Sequence, residues 1–223
     1  MKSMITGLIA LGLLNSALAA DRAELNARIG VLIAKFNAMQ QDPAERVPSE
    51  VLRQAKGVVL LDRVKAGFMF GGESGGGVAI VKDNSGDWSP AAFIHSAGGS
   101  FGFQAGGEED FCVILLMNSE VAHQLADSKI AFSSEARATA GSDTAGVEDK
   151  FNAPPQSVLV YADRSGLYGG VSLKGAGLSP DRKANEIYYG NPVSLYDILF
   201  EPKVAVTPTV QSLARAMEVY SRQ

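Results

Sequence analysis

The chain of 223 residues contains one cysteine, two histidines and one tryptophan. A single cysteine, Cys112, excludes an internal disulfide, and with so few histidines it also excludes a Cys/His zinc set. Cys112 lies in the apolar run Phe111 to Met117, where it reads as a small buried hydrophobe. No G-x-x-x-x-G-K-S/T run occurs and no glycine cluster opens a helix, so the cradle and helix-start dipole that hold nucleotide phosphates are missing. There is no basic excess: 20 Lys and Arg against 24 Asp and Glu give a net charge of −4, which excludes the clustered cationic face of a nucleic-acid-binding domain. No apolar run reaches the roughly 20 residues of a membrane-spanning helix. These residues imply no cofactor and no metal.

What is present begins with an export signature. Lys2 supplies a positive start, Ile5 to Leu14 an apolar core, and Ala17-Leu18-Ala19 a small-residue cleavage site. Residues 1–19 are therefore expected to be a secretory signal. No cysteine follows the apolar core to carry a lipid anchor. An exported protein of about 200 residues without disulfides suits a bacterial periplasm, and such a chain is long enough to build its own core. Residues 22–221 are expected to form one domain, because no linker divides them.

Twelve of the 24 glycines fall between Gly67 and Gly107, within stretches that otherwise read as strand. Glycine inside a strand is costly and marks curvature or close approach by another group. Side chains alternate along a strand, so Phe101 and Phe103 share one face while Gly98, Ser100, Gly102, Gln104 and Gly106 share the other. One nearly bare face predicts a bent sheet that admits a close neighbour, either part of the protein or a flat ligand.

Helical spacing of Leu25, Ile29, Leu32, Ile33 and Phe36 predicts a helix over Asp21 to Gln40, capped by Asp21. Shorter helices are expected over Ser49 to Gln54, from Asn118 or Ser119 to Ala126, from Asp181 to Tyr189 with Gly190 as the stop, and after Thr207-Pro208. Strands are expected at Gly57 to Leu61, Gly67 to Phe70, Val78 to Lys82, Phe93 to Ala105, Phe111 to Met117, Ser157 to Tyr161 and Leu167 to Lys174. Helices at both ends with strands between give an α+β fold: one mainly antiparallel, curved sheet that approaches a barrel.

Gly72-Glu73-Ser74-Gly75-Gly76 matches the G-x-S-x-G pattern of a hydrolase elbow. Both histidines, His95 and His123, follow Ser74, which breaks the trypsin order, and a strand rather than a helix follows the glycines. The run therefore reads as a glycine-rich hairpin turn, with a Ser74 hydrolase as the remaining catalytic reading. Glu108-Glu109-Asp110 reads as a solvated turn. The first helix has two readings: its apolar stripe docks on the sheet, or Leu25, Ile29, Leu32, Ile33 and Phe36 contact a bilayer surface. Lys56, Arg63, Lys65, Arg164, Lys174, Arg182 and Lys183 bracket strand ends, where they either converge on a lipid headgroup or remain ordinary surface charge.

Lys56-Gly57-Val58-Val59, Lys65-Ala66-Gly67-Phe68, Gly71-Gly72, Trp88-Ser89-Pro90 and Gly99-Ser100-Phe101-Gly102-Phe103-Gln104 together resemble the SYLF domain. Tyr161 to Gly166, Gly170 to Gly175 and Asp181…Asn185…Tyr189-Gly190 resemble its closing motif, so the likeness runs from about Arg22 to Tyr220. The resemblance implies a non-catalytic lipid-binding module. Its eukaryotic members bind phosphoinositides, partly through an amphipathic N-terminal helix that corresponds by position to Asp21 to Gln40, and yeast relatives bind actin. The expectation is thus a peripheral, periplasmic phospholipid-binding protein. The alternative is a scaffold whose glycine-rich sheet takes a protein partner or a second copy.

Overall fold

The structure is a computed structural model that describes residues 2–68, 70–101, 106–127, 130–131, 137–138, 158–163, 177–201 and 203–223. Four long strands form its frame: β1 (Gly57–Phe68), β2 (Phe70–Val81), β3 (Ala92–Phe101) and β4 (Gly106–Leu116). The shorter strands are β5 (Ile130–Ala131), β6 (Arg137–Ala138), β7 (Val158–Asp163) and β8 (Gly177–Pro180). The sheet order is β5-β8-β3-β2-β1-β4-β7-β6, with six antiparallel strands from β8 to β7 and a two-residue strand at either margin. Among the described residues the two margins do not pair with each other, so the sheet is curved but open. The α+β class is as expected, and the barrel is not.

Six helices accompany the sheet among the described residues: α1 (Lys2–Gln41), α2 (Ser49–Gln54), α3 (Ser119–Asp127), α4 (Arg182–Tyr189), α5 (Leu195–Leu199) and α6 (Pro208–Ser221). Their starts follow the side chains foreseen. Asn118 Oδ1 accepts from Val121 N at 2.9 Å, Asp181 Oδ1 accepts from Ala184 N at 3.0 Å, and Thr207 Oγ1 accepts from Val210 N ahead of Pro208. Gly190, at φ 77°, ends α4 in the left-handed region that glycine tolerates. Asp21 is not a cap in the full chain, because α1 runs through it unbroken. Helix α5 was not foreseen. Its signal is the capping box in which Ser194 and Asp197 each bond the other's backbone N–H.

Three other expectations are corrected. The predicted strand Gly67 to Phe70 straddles two: β1 runs 12 residues from Gly57 through Arg63 to Phe68, and β2 returns beside it from Phe70. Gly72 to Gly76 is consequently strand interior, with Ser74 opposite Val64 on one side and Ala97 on the other. Glu108 to Asp110 also lie within a strand, β4, rather than in a turn. The predicted strand Leu167 to Lys174 lies outside the described residues.

Alternation along the strands builds two cores, one on each face. Val58, Leu60, Val78, Ile80, Phe93, Val113 and Leu115 pack with Ile29, Leu32, Phe36 and Met39 of α1, Tyr188 of α4 and Leu213 and Met217 of α6. The opposite parity, including Val59, Leu61, Ala79, Ile94, Cys112 and Ile114, packs with Leu125 of α3 and Ile198 of α5. A sheet covered by helices on both sides explains why the strand centres read as continuous apolar runs rather than strict alternations. The glycines serve close approach as foreseen, but the neighbour is the protein itself. A Cβ at Gly75 would stand 2.6 Å from the Asp62 carbonyl oxygen, and one at Gly77 would overlap the carbonyl of Leu60. Strand β1 can bend onto β2 because those two positions carry no side chain.

Candidate functional site

Helix α1 meets the sheet at one register row, Asp62–Gly76–His95–Ser179, which runs from β1 through β2 and β3 to β8. Lys35 Nζ donates to Asp62 Oδ2 at 2.5 Å. One turn pair earlier, the Arg28 guanidinium lies directly over Gly76, where any Cβ would collide with its Nη2. Arg28 also stands 4.0 Å from Asp181 Oδ2 and above the Phe93 ring. Past this row no helix of the described residues covers this face: Val64 is 49% exposed, and Ser74, His95 and Ala97 are exposed. The outcome is an open shelf beside α1, edged by Arg28, Ser74, His95 and Ser179, with Val64 and Ala97 also on its surface. In the sequence His95 has no partner for its ring close by. The signal it lacked was tertiary: Ser179 Oγ lies 3.1 Å from His95 Nε2 across 84 residues of chain.

Of the residues expected to hold a headgroup, Lys56, Arg182 and Lys183 are exposed. They do not converge, because Lys56 precedes β1 at one end of the sheet while Arg182 and Lys183 open α4 beside β8. Arg63 is withdrawn from this set. It is fully buried on the α3/α5 face, with Nη2 3.2 Å from Asp110 Oδ2, itself buried. Burying such a pair is tolerated only when geometry and further hydrogen bonds compensate the desolvation, so Arg63 serves the interior rather than a rim. The side chains of Lys65, Arg164 and Lys174 lie outside the described residues. The bilayer-contact set is likewise inward: Ile29, Leu32 and Phe36 are 0–1% exposed, and Leu25 and Ile33 pack against the same core. Among the described residues no helix is long and apolar enough to cross a membrane.

The closing-motif residues turn out to hold the fold. Asn185 bonds the strand as another strand would, accepting from Phe93 N at 2.8 Å and donating to Phe93 O at 2.9 Å. Tyr189 donates to Ala91 O at 2.6 Å, and burial pushes its hydroxyl pKa far up. Tyr188 links three helices through Asn26 Oδ1 at 2.9 Å and Thr207 Oγ1 at 2.7 Å; burial raises its pKa despite the Thr207 bond.

Ser74 lacks the surroundings of a nucleophile elbow, because it sits mid-strand and no helix follows it. His123 is stacked on Phe200 with ring centroids 4.0 Å apart, on the α3/α5 side of the sheet and away from Ser74. A second cationic feature lies at the far end of the sheet. Lys82 Nζ rests 4.8 Å above the Trp88 ring and donates to Arg53 O at 3.1 Å; burial, then repulsion from Lys56, lowers its pKa. A groove of about 350 Å³ between the end of α1 and α6 is lined by Gln40, Arg46, Pro48 and Tyr220, none of which belongs to the expected site.

A family model described as "Ysc84: Las17-binding protein actin regulator" matches residues 97–220, more than half of the chain. The chain is 30% identical over 184 residues to Protein YSC84 of Saccharomyces cerevisiae, covering 77% of this chain and 37% of that one. It is 31% identical over 176 residues to LAS seventeen-binding protein 3 of the same yeast, covering 77% and 38%. To the human SH3 domain-containing YSC84-like protein 1 it is 29% identical over 160 residues, covering 71% and 47%. The chain thus spans less than half the length of these relatives. No solved structure matches.

Proposed function

Since the chain belongs to the Ysc84 (SYLF) family, we propose that it is a non-catalytic binding module of the periplasm that associates reversibly with anionic phospholipid surfaces. The observation that carries this reading is the open, solvent-facing shelf past α1, edged by Arg28, His95 and the Ser74 and Ser179 hydroxyls and followed by exposed Arg182 and Lys183. It suits contact with a headgroup rather than enclosure of acyl chains.

The apolar stripe of α1 does not supply the attachment. Ile29, Leu32, Phe36 and Met39 are buried, and each contributes about 1.5–3 kcal/mol in place. A bilayer would return that energy to the helix but would leave an equal apolar area of sheet in water. Attachment therefore rests on surface charge. Lys56, Arg182 and Lys183 are exposed, with no ion-pair partner among the described residues. Each cation near an anionic surface adds about 1 kcal/mol, and such attraction weakens as salt shortens the screening length.

Flotation with vesicles of phosphatidylglycerol in phosphatidylcholine tests the reading. Binding is expected at low ionic strength and should be lost in roughly molar salt. No flotation with anionic vesicles at low salt would refute it. The second reading is a protein partner, favoured by the relative named for Las17 binding. Cross-linking to a protein with no response to lipid would establish that one instead.

A further inference from the structure

We propose that the shelf formed by the Arg28 guanidinium, the His95 imidazole and the Ser74 and Ser179 hydroxyls is a binding site for a phosphate ester. Three placements build it. Gly76 leaves a gap between Asp62 and His95 in the register row, and the Arg28 guanidinium fills that gap from α1. Ser179 stands opposite His95 on β8, with its hydroxyl 3.1 Å from Nε2. Ser74 lies two residues from Gly76 on the same face of β2 and is exposed, as is His95.

Neighbouring strands are about 4.8 Å apart, and same-face residues along a strand are about 6.8 Å apart. Arg28 over Gly76 and His95 therefore stand side by side across the width of one phosphate, while Ser74 and Ser179, about 12 Å apart by the same spacings, lie on opposite flanks of that pair. Their chemistry suits it: a guanidinium offers a planar fork of donors, hydroxyls rotate to donate, and a protonated imidazole donates from both nitrogens. Two carboxylates beside the shelf have partners of their own among the described residues. Asp62 holds Lys35 at 2.5 Å, and Asp181 caps α4 and lies 4.0 Å from Arg28, beyond hydrogen-bond reach. Among the described residues no carboxylate contacts the His95 ring, so the Ser179–His95 pair has nothing to orient it as a catalytic base and reads as an anion binder. The inference depends on the proposed function only for the source of the phosphate, a lipid headgroup or a soluble ester.

The test uses the full chain with isotopically labelled histidines and glycerol 3-phosphate as probe. Titration at low salt is expected to move the His95 ring resonances saturably and leave those of His123 unmoved. Gly76→Ala should weaken binding about tenfold, because its methyl displaces the guanidinium end of a flexible side chain, and Ser179→Ala should do the same. Circular dichroism confirms that both variants are folded. Phosphatidylglycerol and phosphatidylcholine vesicles form the second arm. If both variants lose the ester and anionic-vesicle binding together, the site takes a lipid phosphate. If they lose the ester while vesicle binding is unchanged or absent in all forms, the site stands as one for soluble esters and any membrane contact lies elsewhere. A silent His95, or two variants that bind the ester as the natural chain does, overturns the proposal whatever the vesicles show.

Discussion

Single side chains in this protein have roles that depend on what faces them. Gly76 matters because Arg28 needs its space, and Gly75 because the Asp62 carbonyl and the Arg63 stem lie against it. Arg63 and Asp110 form a buried ion pair on adjacent strands, at directly opposed register positions. Asp197, in the capping box that opens α5, is a carboxylate whose bonds favour its charged form. Hydrogen bonds from Lys203 and Ser194 hold its pKa at about 2, below the ordinary carboxylate value. A depressed folded-state pKa stabilises the fold above the unfolded value, and that contribution fades as pH falls from about 4 toward 2. Thermal midpoints of the natural chain should therefore drop more steeply across that window than those of Asp197→Asn. Parallel curves would show that these bonds do not hold the Asp197 carboxylate in its charged form in the folded state.

At the scale of elements, the helix ends were legible because their determinants are local. Asp181, Gly190, Thr207-Pro208 and Asn118 act within one turn of their own positions. The glycine-rich strands were misread for a matching reason. Locally Gly72 to Gly76 is turn chemistry, and only pairing with β1 and β3 on both sides holds it extended. Helix α1 carries the sharpest expectation at this scale. Its Phe36 is fully buried and stacked edge-on to Tyr220 at 5.6 Å between centroids. Phe36→Ala should cost about 3–5 kcal/mol in urea unfolding, yet leave vesicle binding of the folded protein as it was. Loss of binding without loss of stability would return the stripe to the membrane.

The described residues form one sheet between two helix layers, and each core uses the parity of strand residues that the other does not. Neither core survives loss of the sheet, so unfolding should be a single cooperative event. Trp88, the only tryptophan, sits at the end of β2 over Lys82. Its fluorescence and the far-ultraviolet dichroism should give coincident urea transitions; separated midpoints would mean that the two layers come apart independently.

The order of residues by itself determined helices α3, α4 and α6 with their caps, the apolar strand centres and the family, because each is written in short-range spacing and local chemistry. It also carried two readings of the first helix and of the cations without choosing between them. That choice belonged to the tertiary structure. Whether an apolar stripe meets a sheet or a membrane, and whether Arg63 faces water or Asp110, depends on groups tens of residues away that only the folded chain brings into contact.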